Sequence, residues 1–171
     1  MPKLRDATEA DVPRILDITN EAIANTTAIW DLEPMTLEAR LAWFRDRAAA
    51  GFPILVAEVD EAIAGFGSYG AYHAKAGYKF TVEHSVYVAP PAQGLGLGKL
   101  LLSALIQHAA ARGKHVMVGS IEAGNTASIA LHKWAGFTEA GIVREAGWKF
   151  GRWLDALYMQ KILPPNEHYG R

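Results

Sequence analysis

Gly94, Gly96 and Gly98 occupy every second position of the stretch PPAQGLGLGKLL (Pro90–Leu101), and Lys99 follows directly. A strand-like segment precedes this stretch and a helix-like one follows it. A turn of that kind offers helix-start amides, the positive end of a helix dipole, and a backbone that an anion can approach without meeting Cβ atoms. The chemistry it suits is the holding of a phosphate, and spacing excludes two sorts. A dinucleotide fingerprint needs two glycines two apart and a third three places further on; counted from Gly94 that place is Lys99, and counted from Gly96 it is Leu101. A kinase-type phosphate loop needs a glycine where Gln93 stands and Ser or Thr where Leu100 stands. The alternative is a tight strand-to-helix turn with no ligand.

A second group sits just upstream. In TVEHSVYV (Thr81–Val88), period two places Thr81, Glu83, Ser85 and Tyr87 on one face and His84 on the other. A carboxylate on such a strand can take a proton from a reacting group, or can be an ordinary member of an ion pair. His84 reads as a packed or surface histidine. His132, in NTASIALHKWAGF, is either a proton carrier or a helix-packing residue. Asn125 opens that segment and has the type of an N-cap. The six histidines are scattered and the chain contains no cysteine, so no metal site is expected, and disulfides and a cysteine nucleophile are excluded.

The elements that must carry these residues can be read in outline. KLRDA is a short strand; Thr8, with Asp11 three residues on, approaches a capping box for a helix whose apolar stripe is Val12, Ile15, Leu16, Ile18 and Ile23. Thr36 caps a second helix, Leu37 to Ala50, stopped by Gly51. PILVAEV and AIAGFGSYGAY form a hairpin around the polar turn DEA. TVEHSVYV is a strand ended by Pro90 and Pro91. A helix then runs from about Gly98 to Arg112, with Gly113 as its cap. KHVMVGSI is a strand, NTASIALHKWAGF a short helix, and EAGIVREAGWK and WLDALYMQKI two last strands around an FGR turn.

The order β-α-α-β-β-β-α-β-α-β-β gives a mixed, partly parallel α/β sheet flanked by helices. The 171 residues suit a single domain, with a core over about 3–163 and a tail over 164–171. Half the residues are hydrophobic and the net charge is −1, so neither nucleic acid nor an anionic membrane is the expected partner. The charged N-terminus and the lack of a long apolar run make the cytoplasm the expected location.

QGLGLG (Gln93–Gly98) fits the Gln/Arg-x-x-Gly-x-Gly/Ala signature of the GCN5-related N-acetyltransferases. RDATEADVPRI resembles that family's opening strand and helix, and NTASIALHKWAGF resembles its second motif. The order of elements is similar over residues 3–163. Within the family, TVEHSVYV, NTASIALH and EAGWKFGRWLD look most like the phosphinothricin and methionine sulfoximine acetyltransferase branch.

The resemblance implies acetyl-CoA as co-substrate. Gln93, Gly94, Leu95, Gly96, Leu97, Gly98 and Lys99 would surround its pyrophosphate, and Val86, Tyr87 and Val88 would run along the pantetheine arm. A main-chain N–H near Val88 would face the thioester oxygen. Asn125 would bond the arm or merely cap its helix. Glu83 becomes the base, directly or through water. His132 stands where many relatives have tyrosine, and it or water would protonate the thiolate. Lys75 would meet a substrate carboxylate, with Trp30, Tyr72, Tyr78, Glu83 and Ser85 around the acceptor. Trp148, Phe150 and Trp153 would be core or subunit contacts, the latter in a homodimer.

The expected activity is acetylation of a small amino acid or analogue by direct attack. The rivals are acetylation of a peptide or protein and a non-catalytic acetyl-CoA-binding regulator.

Overall fold

The computed structural model describes residues 1–164. The expected tail, apart from its first residue, lies outside the described residues. Seven strands and four helices follow the expected order: β1 (Lys3–Asp6), α1 (Val12–Asn25), α2 (Leu37–Ala49), β2 (Ile54–Val59), β3 (Ala62–Ala71), β4 (Thr81–Val88), α3 (Leu97–Ala111), β5 (Val116–Glu122), α4 (Thr126–Trp134), β6 (Thr138–Lys149) and β7 (Arg152–Ile162). The sheet order is β1-β2-β3-β4-β5-β7-β6. The chain divides into two compact units: Met1–Tyr69 with Ser85–Leu102, and Gly70–His84 with the residues from Ser103 onward. Both β4 and α3 contribute to each unit.

In the first unit, Thr8 N–H donates to Asp11 Oδ2 at 2.7 Å, which closes the expected box on a single 3-10 turn ahead of α1. Val12, Ile15, Ile18 and Ile23 are buried as the stripe requires, and Leu16 lies half-buried at its margin. Val12, Ile15 and Ile18 pack with Phe44 of α2, Ile54 and Val56 of β2, Phe66 of β3 and Ala89. Fully burying an aliphatic or phenyl side chain of this size contributes about 1.5–3 kcal/mol, and the packed stripe holds α1 in place.

Arg5 fastens β1 to the start of α1, its Nη1 and Nη2 donating to the two oxygens of Asp11 at 2.7 and 2.9 Å. That grip holds the Asp11 carboxyl at about 2, below its ordinary 3.8. Because the folded value is the depressed one, this stabilisation is complete above pH 3.8 and is lost as pH falls toward 2. Asp11→Asn is therefore expected to cost about 1 kcal/mol in a urea titration at pH 7 and much less at pH 2. An equal loss at both pH values would reject the linkage.

The hairpin between β2 and β3 turns through Asp60 (φ 50°) and Glu61 (φ 65°), the left-handed pair that suits a two-residue connection. A Cβ on Gly65 would lie 2.9 Å from the carbonyl oxygen of Tyr87 and 3.5 Å from Cα of Val88. Glycine there allows the later half of β4 to run close to β3, and Ala89 N–H donates to Ala64 O at 2.8 Å.

In the second unit, β4 pairs in parallel with β5 through Thr81↔Val116, Val82↔Met117 and Glu83↔Val118. β5–β7 and β6–β7 are antiparallel, as are β1–β2 and β2–β3 in the first unit. The sheet is thus mixed but mostly antiparallel. The two last strands form a hairpin whose second strand lies beside β5, so β6 stands at the end of the sheet. Trp148 and Trp153 pair across that hairpin, rings 5.0 Å apart. They are 50% and 57% exposed and Phe150 is 57% exposed, which overturns the core reading for all three. Among the described residues no helix is long and apolar enough to cross a membrane.

Candidate active site

Pro90 and Pro91 end β4 in a 3-10 turn, Pro90–Ala92, from which the glycine loop leaves. Gly94 and Gly96 each have φ +82°, and a Cβ on either would meet nothing within 4 Å. Glycine is therefore required at both by the sign of φ, and the space beside both is open. Leu97, buried with Leu101 and Leu102, anchors the first turn of α3, while Leu95 and Lys99 are exposed. The amides of a first helical turn have no acceptor four residues back. An exposed, glycine-shaped helix start beside a lysine fits an anionic group. The Leu97 side chain belongs to the core, so only its main chain can serve a ligand. Gln93 Nε2 donates to Val88 O at 3.3 Å, bracing the loop against the strand end.

Along the later half of β4, the Tyr87 ring packs 5.3 Å from Phe66, and Ser85, Val86 and Val88 are half-buried. The amide of Ala89 is engaged by Ala64, which restricts the expected oxyanion donor to Val88 or an earlier residue. The ladder with β5 ends at Glu83↔Val118, although β4 continues to Val88.

The second unit contains Glu83, half-buried on β4, and the residue after it, His84, facing the other way and buried. His84 and His132 face one another with Nε2 to Nε2 at 3.0 Å, ring centroids 5.0 Å apart and planes 29° apart. His132 Nδ1 is 2.7 Å from the carbonyl oxygen of Ser128. Burial, then the neighbouring imidazole, pushes His84 down to about 3. Burial also lowers His132, against a smaller upward pull from Ser128. Phe137 packs edge-on against both rings, at 5.5 and 5.1 Å. Gly119 of β5 lies beneath the contact, where a Cβ would be 2.7 Å from His132 Nε2 and 3.1 Å from His84 Nε2.

Asn125 caps α4, its Oδ1 accepting from Ser128 N–H at 3.0 Å. Tyr72 and Tyr78 meet edge-to-face at 5.6 Å, and His73 lies 5.1 Å from Tyr78, so the loop after β3 forms an aromatic cluster. Lys75, in the same loop, is exposed. Trp30 lies in the first unit with its indole N–H donating to Thr27 O at 2.9 Å. Sequence reasoning missed the roles of His84, His73 and Gly119. The signal for Gly119 was a glycine inside the apolar strand VMVGSI, a mark of close approach. Among the described residues no group of three or more His, Asp or Glu is placed to hold a metal ion.

The model of the Acetyltransferase (GNAT) family matches residues 15–137, and the chain belongs to that family. It is 52% identical over 163 residues to the L-methionine sulfoximine/L-methionine sulfone acetyltransferase of Pseudomonas aeruginosa, covering 95% of each chain. It is 37% identical to the phosphinothricin N-acetyltransferase of Alcaligenes faecalis, over 94% of this chain and 82% of that one. Among solved structures, yncA of Salmonella typhimurium, described as an acetyltransferase with its cofactor acetyl-CoA, superimposes with a TM-score of 0.94. It is 44% identical and covers 100% of this chain and 98% of its own.

Proposed function

We propose that this chain moves an acetyl group from acetyl-CoA to the α-amine of a small amino acid or analogue, with methionine sulfoximine, methionine sulfone and phosphinothricin as first substrates. The observation that carries the reading is the course of β4. It bears Glu83, leaves its ladder with β5 at that residue, and continues through Val88 into an anion-fitting helix start. The substrates named for the relatives, and acetyl-CoA in the yncA structure, support it.

The co-substrate supplies the acetyl group as a thioester. Main-chain groups of Val86–Val88 align its arm, and the glycine loop with Lys99 holds its pyrophosphate. Glu83 takes a proton from the substrate ammonium, directly or through one water. The free amine then forms the C–N bond as the C–S bond breaks, with a β4 amide at or before Val88 donating to the carbonyl oxygen. With both ring nitrogens of His132 engaged, the proton that the nitrogen sheds as the amide forms passes through water to the departing thiolate. With no cysteine to carry the acetyl group, transfer is direct. Asn125 adds a bond to the arm beyond its capping.

The test is release of CoA thiol against a panel of amino acids, peptides and amines. No turnover with any amine, despite acetyl-CoA binding, would sink the proposal. Turnover with peptides alone would replace the small-substrate reading by the peptide one.

Lys75 meets the substrate carboxylate, and Tyr72, Tyr78, Ser85 and Trp30 line the acceptor side. Lys75→Ala is expected to raise KM for a carboxylate-bearing acceptor about tenfold, the effect of one charge-assisted hydrogen bond, with kcat little changed. An unchanged KM would reject the contact. We read residues 1–171 as one cytoplasmic N-acetyltransferase domain. We also propose that the exposed Trp148, Phe150 and Trp153 pack in a homodimer. A one-chain mass in solution would reject that last reading.

A further inference from the structure

We infer that His84 is a positioning residue for the proposed reaction: by donating its Nε2 hydrogen to the bare Nε2 of His132 it ties β4 beside Glu83 to α4 behind Asn125. The functional part of this inference rests on the N-acetyltransferase reading; the proton assignment does not.

The assignment follows from what each atom can do. The Ser128 carbonyl only accepts, so at 2.7 Å His132 Nδ1 must carry the hydrogen. The uncharged His132 ring then has its lone pair on Nε2. The Nε2 of His84 is 3.0 Å away, and two bare nitrogens would repel, so His84 carries its hydrogen there. His84 Nδ1 is thereby left as a bare acceptor, and it is buried without a hydrogen-bond partner.

A buried acceptor left unpaired is destabilising, and an apolar side chain at position 84 would avoid it. Packing alone therefore gives no reason for a histidine there, whereas a hydrogen bond from β4 to the bare Nε2 of His132 does. The surroundings fit the same purpose. Gly119 leaves room for the nitrogen-to-nitrogen contact itself, since a Cβ there would strike His132 Nε2 at 2.7 Å. The groups facing the pair are Gly119 of β5, Phe137 after α4, Ser128 on α4, and the partner ring. Among the described residues, the charge that acts on His84 is the other imidazole.

Two charged rings would point N–H at N–H across 3.0 Å, so the pair holds at most one extra proton. Burial disfavours even that one. His132 thus enters the reaction uncharged. His84 adjoins Glu83 in the chain, and His132 lies seven residues after Asn125, so a single hydrogen bond sets the strand with the base against the helix with the cap.

The experiment is nitrogen-15 NMR of the histidine side chains in the full chain, with kinetics of two variants. Wild type should show His132 protonated on Nδ1 and His84 on Nε2, with His132 titrating below the ordinary histidine value and His84 not titrating between about pH 5 and 8. His84→Gln can present a side-chain amide N–H in place of the ring N–H. It should keep the His132 tautomer and hold kcat/KM within about threefold, less than the effect of one hydrogen bond. His84→Leu removes the donor. In a variant shown to fold by circular dichroism, His132 should then titrate nearer its ordinary value, and kcat/KM should fall roughly tenfold with a new acidic limb.

A wild-type His132 bare at Nδ1 would overturn the assignment. A folded Leu variant with unchanged titration and pH profile, or a Gln variant as impaired as Leu, would overturn the positioning role. Should the amine panel give no turnover at all, the NMR results still decide the assignment, so the two failures can be told apart.

Discussion

Glu83→Gln should lower kcat/KM by about 10²- to 10⁴-fold, the usual contribution of a positioned general base, or about 2.7–5.5 kcal/mol of transition-state stabilisation. Glutamine keeps the size and hydrogen-bonding length of the side chain but cannot accept a proton. The loss should fall on kcat, with the KM for acetyl-CoA nearly unchanged, because Glu83 is the last residue of the ladder with β5, while in the proposed reaction the donor arm runs along Val86–Val88. The pH profile should also change shape. In the proposed reaction the Glu83 carboxylate removes the ammonium proton. The variant's rate should keep rising with pH as the fraction of free amine grows. A Gln variant with the wild-type rate and profile would remove Glu83 from the chemistry.

Gly119→Ala should lower both stability and rate. Its Cβ would lie 2.7 and 3.0 Å from His132 Nε2 and Cδ2 and 3.1 Å from His84 Nε2. These are ring atoms, already held by Ser128 and Phe137, so they cannot swing aside as the end of a flexible chain would. Overpacking of this sort costs about 1–3 kcal/mol and lowers Tm by several degrees. Activity should fall with it, because the rings can accommodate the methyl only by separating. Gly141→Ala is the control: it has open space on β6 and should change Tm by less than about a degree. A Gly119→Ala protein with wild-type Tm and rate would show that the two rings are free to move, and would count against the close contact.

Much of the fold was legible because the chain punctuates itself. Gly51, Gly113 and Gly136 end the three helices where expected, at φ +73°, +71° and +84°, and two prolines end β4 at Val88. TVEHSVYV is β4 to the residue, and period two placed Glu83 and His84 correctly on opposite faces. Sequence could not show what His84 meets there. His132 is 48 positions away, and nothing local to either residue encodes the encounter. The place of β7 between β5 and β6 was equally hidden, since a hairpin can add to a sheet with either strand inward. The tryptophans of the β6–β7 hairpin, read as core or subunit contacts, are exposed in the fold. At the site, the glycine-rich strand-to-helix turn was legible from glycine spacing alone, whereas the state of His132 required the positions of Ser128 and His84.

The glycines beside these groups are of two kinds. At Gly65 and Gly119 a side chain has no room. At Gly94 and Gly96 it has room but the wrong handedness, for only the sign of φ excludes an L-residue. The glycine loop is therefore specified by chirality rather than by volume. A D-alanine introduced at 94 or 96 by chemical synthesis would suit the backbone as glycine does, yet carry a methyl group beside the helix start. Loop shape and ligand room, which every natural substitution there alters together, become separable.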